Sequence, residues 1–140
     1  INISDAEGFG LATLESLACE TPIIVTKTGG LQEQVTDGEN EFGILLNPTS
    51  RAIIGSQDIP WIYEDRLSEE VVVESMETMY NMDVEERELM GHMGRQHVLN
   101  NYNMQTFVNQ WDKILSHTVE EYGSWDTRKG HQSWHFSEVK

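Results

Sequence analysis

The chain has 140 residues, enough for about one domain, and 38% of them are hydrophobic, which argues against global disorder. Its formal net charge is −15, from 9 Lys and Arg against 24 Asp and Glu, which argues against nucleic acid as a partner. No run reaches the roughly 18 apolar residues of a transmembrane segment, and the single cysteine, Cys19, cannot form a disulfide framework, so we expect a cytoplasmic protein.

Short strands and helices alternate over the first 48 residues. The apolar run at 23–25 is typical of a parallel strand that is buried on both faces. Residues 1–4 alternate like a strand but are too few for a normal strand of about five or six residues, so we expect a fragment that begins in mid-strand. The predicted order is strand 1–4, helix 11–19, strand 23–25, helix 31–35 and strand 43–46. This β-α-β-α-β order predicts an α/β fold with a short parallel sheet, flanking helices and right-handed crossovers.

The second part of the chain predicts a surface excursion followed by a layer of helices. Residues 49–66 have no sustained period, and a hairpin around 59–63 is one option for them. Three amphipathic helices follow at about 68–81, 83–100 and 104–121. The sequence therefore divides into a partial domain over 1–122, with a motif core at 1–48 and helices at 67–122, and a polar tail over 123–140.

Apolar stripes predict which helical side chains are buried. In the first long helix the stripe is Val71, Val72, Met76, Met79 and Tyr80, and Met90 and Met93 continue the pattern in the second. In the third helix, Phe107, Trp111, Ile114 and Leu115 are expected to bury against this chain's own helices. The aromatic residues of the tail region have no periodic partners and are expected to pack on a domain absent from the chain: Tyr122, Trp125, Trp134 and Phe136.

Residues 7–15, EGFGLATLE, carry the pattern with the most chemical content. Gly8 and Gly10 let the backbone approach a ligand closely, and the first-turn amides of the following helix suit an anion. Glu7 stands at the carboxyl end of a strand, where open α/β sheets bind ligands. Glu15 lies on the helix, where a carboxylate can accept hydrogen bonds from paired hydroxyls. The pattern predicts a site for a phosphate and for hydroxyl-rich sugars.

Taken alone, the two carboxylates have a simpler reading. Without the motifs around them, a solvated surface carboxylate for Glu7 and an ordinary helix acid near the N-terminal end for Glu15 are the favoured explanations. Gly29 and Gly30 are needed by a tight strand-to-helix turn whether or not a ligand binds. His92, His97, His117, His131 and His135 lack the spacing of a metal site, and no metal is expected.

The order of motifs strengthens the functional interpretation. The E-x7-E pattern is followed by Thr21-Pro22, by Thr28-Gly29-Gly30 with Glu33, by Asp37-Gly38, and by Gly43 and Pro48. This series resembles the retaining GT-B glycosyltransferases of the E-x7-E group, the glycosyl transferases group 1. Specific motifs carry the resemblance over residues 1–48, and residues 67–122 match only as a helical pattern. The chain then corresponds to the second half of a Rossmann-like C-terminal, donor-binding domain.

The resemblance implies a function and residue roles. Such enzymes move a sugar from a nucleotide-diphosphate donor to an acceptor hydroxyl with retention of configuration, and no cofactor is expected. The position of Glu7 contacts the transferred sugar, the amides of Phe9, Gly10 and Leu11 approach the sugar and the diphosphate, and Glu15 holds the ribose. Gly29 and Gly30 open the next helix of the nucleotide pocket.

Departures from the family pattern bear on stability and completeness. Glu20 stands where relatives usually have Gly, and a left-handed Glu there costs on the order of 1 kcal/mol. The resemblance places the family's phosphate-binding Arg and Lys and the acceptor-binding N-terminal domain before residue 1, so the fragment alone is expected to be inactive. The alternatives are a non-catalytic nucleotide- or sugar-binding module, a degenerate partner subunit, or another phosphate-binding α/β enzyme such as a sugar-phosphate isomerase or epimerase.

Overall fold

The computed structural model describes residues 1–130 and 137 and divides into two units, residues 1–101 and residues 102–140. The boundary between domain and tail that was predicted after residue 122 stays a prediction. The elements of the first unit are α1 (Leu11–Ala18), β1 (Ile23–Thr26), α2 (Leu31–Val35), β2 (Gly43–Leu46), β3 (Ser50–Ile54), β4 (Ile62–Arg66), α3 (Glu69–Asn81) and α4 (Val84–Asn101). The second unit contains α5 (Met104–Tyr122).

A short parallel sheet forms the centre of the first unit, as predicted. Strand β1 pairs with β2 in parallel, from Ile23 opposite Gly43 to Thr26 opposite Leu46. The N-terminal segment joins the other side of β1, where the Asn2 amide donates to Ile24 O at 2.8 Å and the Thr26 amide donates to Asn2 O at 3.1 Å. Because all three segments run in the same direction, their carboxyl ends meet at one edge of the sheet.

The core lies between this sheet and the two short helices. Every residue of β1 is buried, as the continuous apolar run predicted. The core cluster combines side chains from α1, β1, α2 and the residue just before β2: Leu17, Ile23, Val25, Leu31, Val35 and Phe42. The helix 11–19 and the strand 23–25 were predicted to within one residue at their ends, and α2 and β2 match their predicted bounds. The α/β fold class with flanking and C-terminal helices is confirmed.

The turn after α1 has the left-handed residue that the sequence suggested. Glu20 has a φ of 60° and is the one non-glycine residue with positive φ among those the structure describes. Its carboxylate faces α4, with Arg95 Nε at 3.7 Å and His92 Nδ1 at 3.6 Å. Arg95 also donates from Nη1 to Ala18 O at 2.9 Å, so α4 supplies a donor to the end of α1.

Helix α4 packs mainly through two glycines, and Met93 of the predicted methionine stripe also contacts the core. A Cβ on Gly91 would lie 2.1 Å from Glu20 O, and one on Gly94 would lie 2.6 Å from Leu17 Cδ2. These two glycines are the buried residues of α4, whereas Met93 is only partly buried against the core. Small residues one turn apart let α4 approach α1 closely.

The predicted buried stripe of α3 is wrong. Val71, Val72 and Met79 are half-buried, Met76 is exposed and Tyr80 is 84% exposed. Helix α3 contacts β2, which is the edge strand of a small sheet and covers only part of an apolar face. The period predicted the helix correctly, but an apolar stripe does not itself provide a partner.

Residues 50–66 form an antiparallel hairpin rather than an irregular excursion. Strand β3 pairs with β4 from Ser50 opposite Arg66 to Ile54 opposite Ile62. Residues 55–61 connect them, so the predicted centre at 59–63 falls partly on β4. At the base, the Asp65 amide donates to Asp5 O at 3.0 Å, and Arg66 Nη1 lies 2.6 Å from Asp5 Oδ2. Both contacts attach the hairpin to the segment that precedes Glu7.

The second unit is a capped helix with a folded-back end. The side chain of Asn103 accepts from the Thr106 amide at 2.8 Å, and Gly123, with a φ of 81°, ends the helix. Lys129 donates from its backbone amide to Tyr122 O at 2.6 Å, and the Arg128 guanidinium lies 3.7 Å from the centre of the Trp125 ring. Residues 123–130 therefore turn back over the end of α5.

The apolar face of α5 is exposed, which corrects the prediction of burial. Its four predicted core residues are between 47% and 57% exposed: Phe107, Trp111, Ile114 and Leu115. Within the second unit, the described residues outside α5 are mostly polar and supply no apolar layer to cover this face. Tyr122 and Trp125 are exposed as expected, while Trp134 and Phe136 lie outside the described residues. Packing of these aromatics on another domain stays a prediction.

No helix among residues 1–130 is both long and apolar enough to cross a membrane. In the same part of the chain, no three His, Cys, Asp or Glu side chains come together in a way that could hold a metal ion.

Candidate functional site

The loop between the N-terminal segment and α1 lies at the carboxyl edge of the sheet. Gly10 closes this loop in a left-handed conformation, with φ 82° and ψ 61°, and is buried. A Cβ there would lie 2.5 Å from Leu31 Cδ2 and 2.8 Å from Thr13 Oγ1. Gly10 is therefore required by both its backbone conformation and the space around it. Gly8 has open space around it, which leaves its surface accessible to a ligand.

Two glycine turns pack directly against each other at this edge. A Cβ on Gly29, whose φ is 46°, would lie 1.6 Å from Glu7 O. Gly30 donates its amide to Gly8 O at 3.3 Å, and a Cβ there would lie 2.9 Å from the same oxygen. The structure thus brings five predicted site residues together: Glu7, Gly8, Phe9, Gly29 and Gly30. The second pair of glycines supports the backbone of the first loop.

A buried polar pair, which sequence reasoning missed, fixes the loop from below. Gln34 is fully buried, and its Nε2 donates to Phe9 O. The Thr13 hydroxyl lies 2.6 Å from Gly10 O and also contacts Gln34 Oε1; its single proton serves one of the two. Buried polar groups of this kind are costly unless paired. The sequence feature that could have predicted this pair is a glutamine between the apolar positions Leu31 and Val35 of a short helix.

The two glutamates occupy different parts of the site. Glu7 is half-buried, and its Oε1 accepts from the Phe9 amide at 3.4 Å, so the carboxylate is turned toward the loop amides. Glu15 is exposed in the second turn of α1, whose buried side is formed by Thr13, Leu14 and Leu17.

Leu11 marks the open side of α1. It is 68% exposed and shares the solvent-facing side with Glu15, four residues on. Leu11 is the first residue of the helix. The predicted ligand-facing residues Leu11 and Glu15 are therefore both accessible.

The helix end that faces this open side has anion-binding character. Gly10 is the N-cap and provides no side-chain cap, and the first turn of α1 contains no acidic residue. First-turn amides lack partners within a helix and carry the positive end of its dipole. In a chain with a net charge of −15, backbone amides are the local source of positive potential beside the loop. Lys27, in the adjacent turn after β1, adds one cation at the same edge.

The loop that follows α2 is ordered by hydrogen bonds from its backbone amides to the Asp37 carboxylate. The Asp37 carboxylate accepts from the Asn40 amide at 2.7 Å and from the Glu39 amide at 3.0 Å. The backbone hydrogen bond from Asn40, then those from the Asn40 side chain and Glu39, lower the pKa of Asp37 to about 2. The Asp37 to Gly43 loop therefore begins with a local, self-contained turn.

The fold and this edge define an α/β domain whose candidate site presents backbone amides and carboxylates. The sequence model of the family described as "Glycosyl transferases group 1" matches residues 2–97, and the chain belongs to that family. The architecture agrees with the C-terminal domain of a GT-B glycosyltransferase.

Individual relatives extend this finding. The chain is 30% identical over 119 residues to a D-inositol 3-phosphate glycosyltransferase of Paenarthrobacter aurescens, covering 85% of this chain and 22% of that protein. It is 29% identical over 115 residues to a capsular polysaccharide biosynthesis glycosyltransferase of Staphylococcus aureus, covering 82% of this chain and 25% of the relative. An N-acetyl-alpha-D-glucosaminyl L-malate synthase of Bacillus anthracis is 30% identical over 78 residues, covering 56% of this chain and 20% of that enzyme. The chain spans about a quarter or less of each of these relatives.

Proposed function

We propose that this chain holds part of the donor site of a retaining glycosyltransferase that transfers a sugar from a nucleotide-diphosphate sugar to an acceptor hydroxyl. The observation that carries the proposal is the pair of interlocked glycine turns at the carboxyl edge of the sheet, flanked by Glu7 and Glu15, in a chain of this family. Ligands of open α/β sheets bind at this edge. The relatives named above all join a sugar to an acceptor or build a polysaccharide, by their names.

Each predicted residue has a physical role in the proposal. Glu7 orients the transferred sugar, since its carboxylate is held beside the loop amides. The amides of Phe9, Gly10 and Leu11 line the diphosphate, and Gly8 leaves room for the ligand. Glu15, accessible on α1, accepts hydrogen bonds from the two ribose hydroxyls. Gly29 and Gly30 act by supporting the loop.

Catalysis by such a site is electrostatic and positional. As the nucleoside diphosphate departs, negative charge grows on its oxygens, and amides already pointing at that position stabilise it without reorganisation. Holding the acceptor hydroxyl close to the anomeric carbon supplies the remaining acceleration. In this proposal the enzyme uses no metal or cofactor and works in the cytoplasm. Further cations and the acceptor contacts come from a domain that precedes residue 1.

A transfer assay on the whole enzyme that contains this chain tests the function. The enzyme is incubated with UDP-, GDP- and ADP-sugars and candidate acceptors, and both nucleoside diphosphate release and the anomeric configuration of the product are measured by NMR. We expect one donor to be used with retention of the anomeric configuration. We expect Glu7→Ala to lower turnover more than it lowers affinity for the nucleoside diphosphate. Inversion at the anomeric carbon, or hydrolysis without dependence on an acceptor, would refute the proposal.

A further inference from the structure

Two consecutive carbonyl groups of the loop before α1 are held from the buried side. Phe9 O accepts from Nε2 of Gln34, which is fully buried. The next carbonyl, Gly10 O, lies 2.6 Å from the hydroxyl of Thr13, which is also buried. The same hydroxyl contacts Gln34 Oε1, so the two side chains form one buried unit beneath two successive peptide groups of the loop.

Fixing a carbonyl also fixes the direction of the amide that follows it. A trans peptide group is planar, and its C=O and N–H bonds point in opposite directions. The described residues contain no cis peptide bond. Because Phe9 O points at the buried Gln34 side chain, the Gly10 N–H points away from that side chain. In the same way, the contact of Gly10 O with the Thr13 hydroxyl turns the Leu11 N–H away from Thr13.

The two amides directed in this way make no hydrogen bond within the described part of the chain. Neither the Gly10 nor the Leu11 N–H donates to an acceptor there. In the proposed function both amides line the diphosphate, whose oxygens are acceptors only. The direction of these two peptide groups therefore determines whether the loop presents donors or acceptors to the diphosphate.

The backbone alone does not select the observed orientation. Gly10 lacks a Cβ, so its φ can take either sign, and the Phe9–Gly10 peptide can turn over. In the turned-over peptide, Phe9 O would point where the Gly10 N–H now points. That oxygen would repel a phosphate oxygen, because both carry negative charge. The buried Nε2 of Gln34 would also lose its acceptor, which is costly, so Gln34 favours the orientation with the N–H outward.

Core packing by itself does not explain a glutamine at position 34. The helix α2 also buries Leu31 and Val35, which are apolar. An apolar side chain at position 34 would fill the same space, and it would avoid the cost of burying an amide. It would also leave Phe9 O without its side-chain donor. The carbonyl that Gln34 holds is therefore the feature that accounts for its polar side chain.

We propose that Gln34 and Thr13 are positioning residues of the diphosphate site. Gln34 selects the peptide orientation in which the Gly10 N–H faces the diphosphate, and Thr13 does the same for the Leu11 N–H. Both side chains are buried beneath the loop and act on the ligand only through its backbone. The inference rests on the proposed function, because it takes the loop amides as the contacts of the diphosphate.

Binding measurements on the whole enzyme that contains this chain test the positioning role. The probes are UDP, GDP and ADP, measured by calorimetry, and the nucleoside of whichever diphosphate binds most tightly, measured by ligand-observed NMR. Gln34→Met keeps the length of the side chain and removes its donor, and Thr13→Val keeps the shape and removes the hydroxyl. We expect each variant to bind the nucleoside diphosphate roughly tenfold more weakly, as for one lost hydrogen bond to a charged group, and to bind the nucleoside as the wild type does.

Three further variants separate positioning from a general loss of stability. Thr13→Ser retains the hydroxyl and should restore the diphosphate affinity that Thr13→Val loses. Val98→Ala removes packing on the core from α4 and should leave both affinities unchanged. Glu15→Ala should weaken the nucleoside and the diphosphate together, since its proposed contact is with the ribose. The two Thr13 variants carry the test by themselves if Gln34→Met does not fold.

The outcomes that overturn the positioning role differ from those that overturn the proposed function. Unchanged diphosphate affinity in Gln34→Met and Thr13→Val, or an equal loss of nucleoside affinity, would overturn the positioning role alone. So would a similar loss in Val98→Ala, or a Thr13→Ser variant that binds no better than Thr13→Val. A wild-type enzyme that binds none of the three diphosphates would overturn the proposed function and, with it, this inference.

Discussion

Gly29 shows how one residue determines the geometry of the candidate site. Its α-carbon faces the backbone of the loop that carries Glu7, and a methyl group there would lie 1.6 Å from Glu7 O. We predict that Gly29→Ala destabilises the chain by about 2 to 4 kcal/mol, combining overpacking with a left-handed backbone. Gly38→Ala is the control, because Gly38 also has positive φ but has no atom within 4 Å of its added Cβ. Thermal unfolding that gave both variants the same stability would contradict this packing.

Glu20 provides a test of backbone strain at the end of α1. Because its φ is 60°, replacement by Gly should relieve strain that replacement by Ala retains. We predict that Glu20→Gly is more stable than Glu20→Ala by about 1 kcal/mol in chemical denaturation. Both variants lose the exposed contacts with His92 and Arg95, so those contacts cancel in the comparison. A more stable Ala variant would mean that the residue is not left-handed.

At the scale of elements, the contact between α1 and α4 depends on a glycine in a helix interior. Replacing Gly by Ala there normally stabilises a helix by about 0.5–1 kcal/mol. We predict the opposite sign for Gly91→Ala, a loss of about 1–3 kcal/mol, because the new methyl group would lie 2.1 Å from Glu20 O. Gln96→Ala, at an exposed position of the same helix, should change stability little. Stabilisation by Gly91→Ala would show that α4 does not approach α1 so closely.

The sequence predicted the elements around the candidate site well because local signals agreed there. The glycine turn before α1, the apolar run of β1 and the breaks at Thr21-Pro22 and Asn47-Pro48 each favour the same structure. The hairpin was only partly predicted, since its strands alternate weakly and its stability depends on the non-local contacts of Arg66 and Asp65 with Asp5. Burial of α3 and α5 was wrong because periodicity identifies an apolar face but not its partner.

The sequence predicted where the candidate site lies, but it did not predict the contacts that hold its loop in place. Glu7 and Gly10 lie together at the sheet edge, as the order of motifs indicated. The contact of Gly29 with Glu7 O and the buried pair Thr13 and Gln34 involve residues about 20 or more positions apart. Such contacts follow from the packing of α2 beneath the loop, which no local pattern encodes.

At the scale of the whole molecule, the chain spans about a fifth of the length of its relative from Paenarthrobacter aurescens. We predict that residues 1–140 alone turn over no nucleotide sugar, because cations and acceptor contacts are proposed to come from the preceding domain. Loss of charge stabilisation of this kind lowers rates by orders of magnitude, roughly 10²–10³ for one donor. The chain and the whole enzyme would be compared in a nucleoside diphosphate release assay. Any turnover by the chain at a rate near that of the enzyme would contradict the prediction.

The most direct test of the donor-site assignment is the affinity of the whole enzyme for its nucleoside diphosphate, measured by calorimetry for Glu15→Ala. A lost hydrogen bond to a charged group costs about 1.5–3 kcal/mol, so we predict roughly ten- to hundredfold weaker binding. Glu88→Ala is the matched control, because Glu88 is likewise exposed and is the fifth residue of α4, as Glu15 is of α1. Unchanged affinity in Glu15→Ala, with the control also unchanged, would contradict the proposed role of this edge of the sheet.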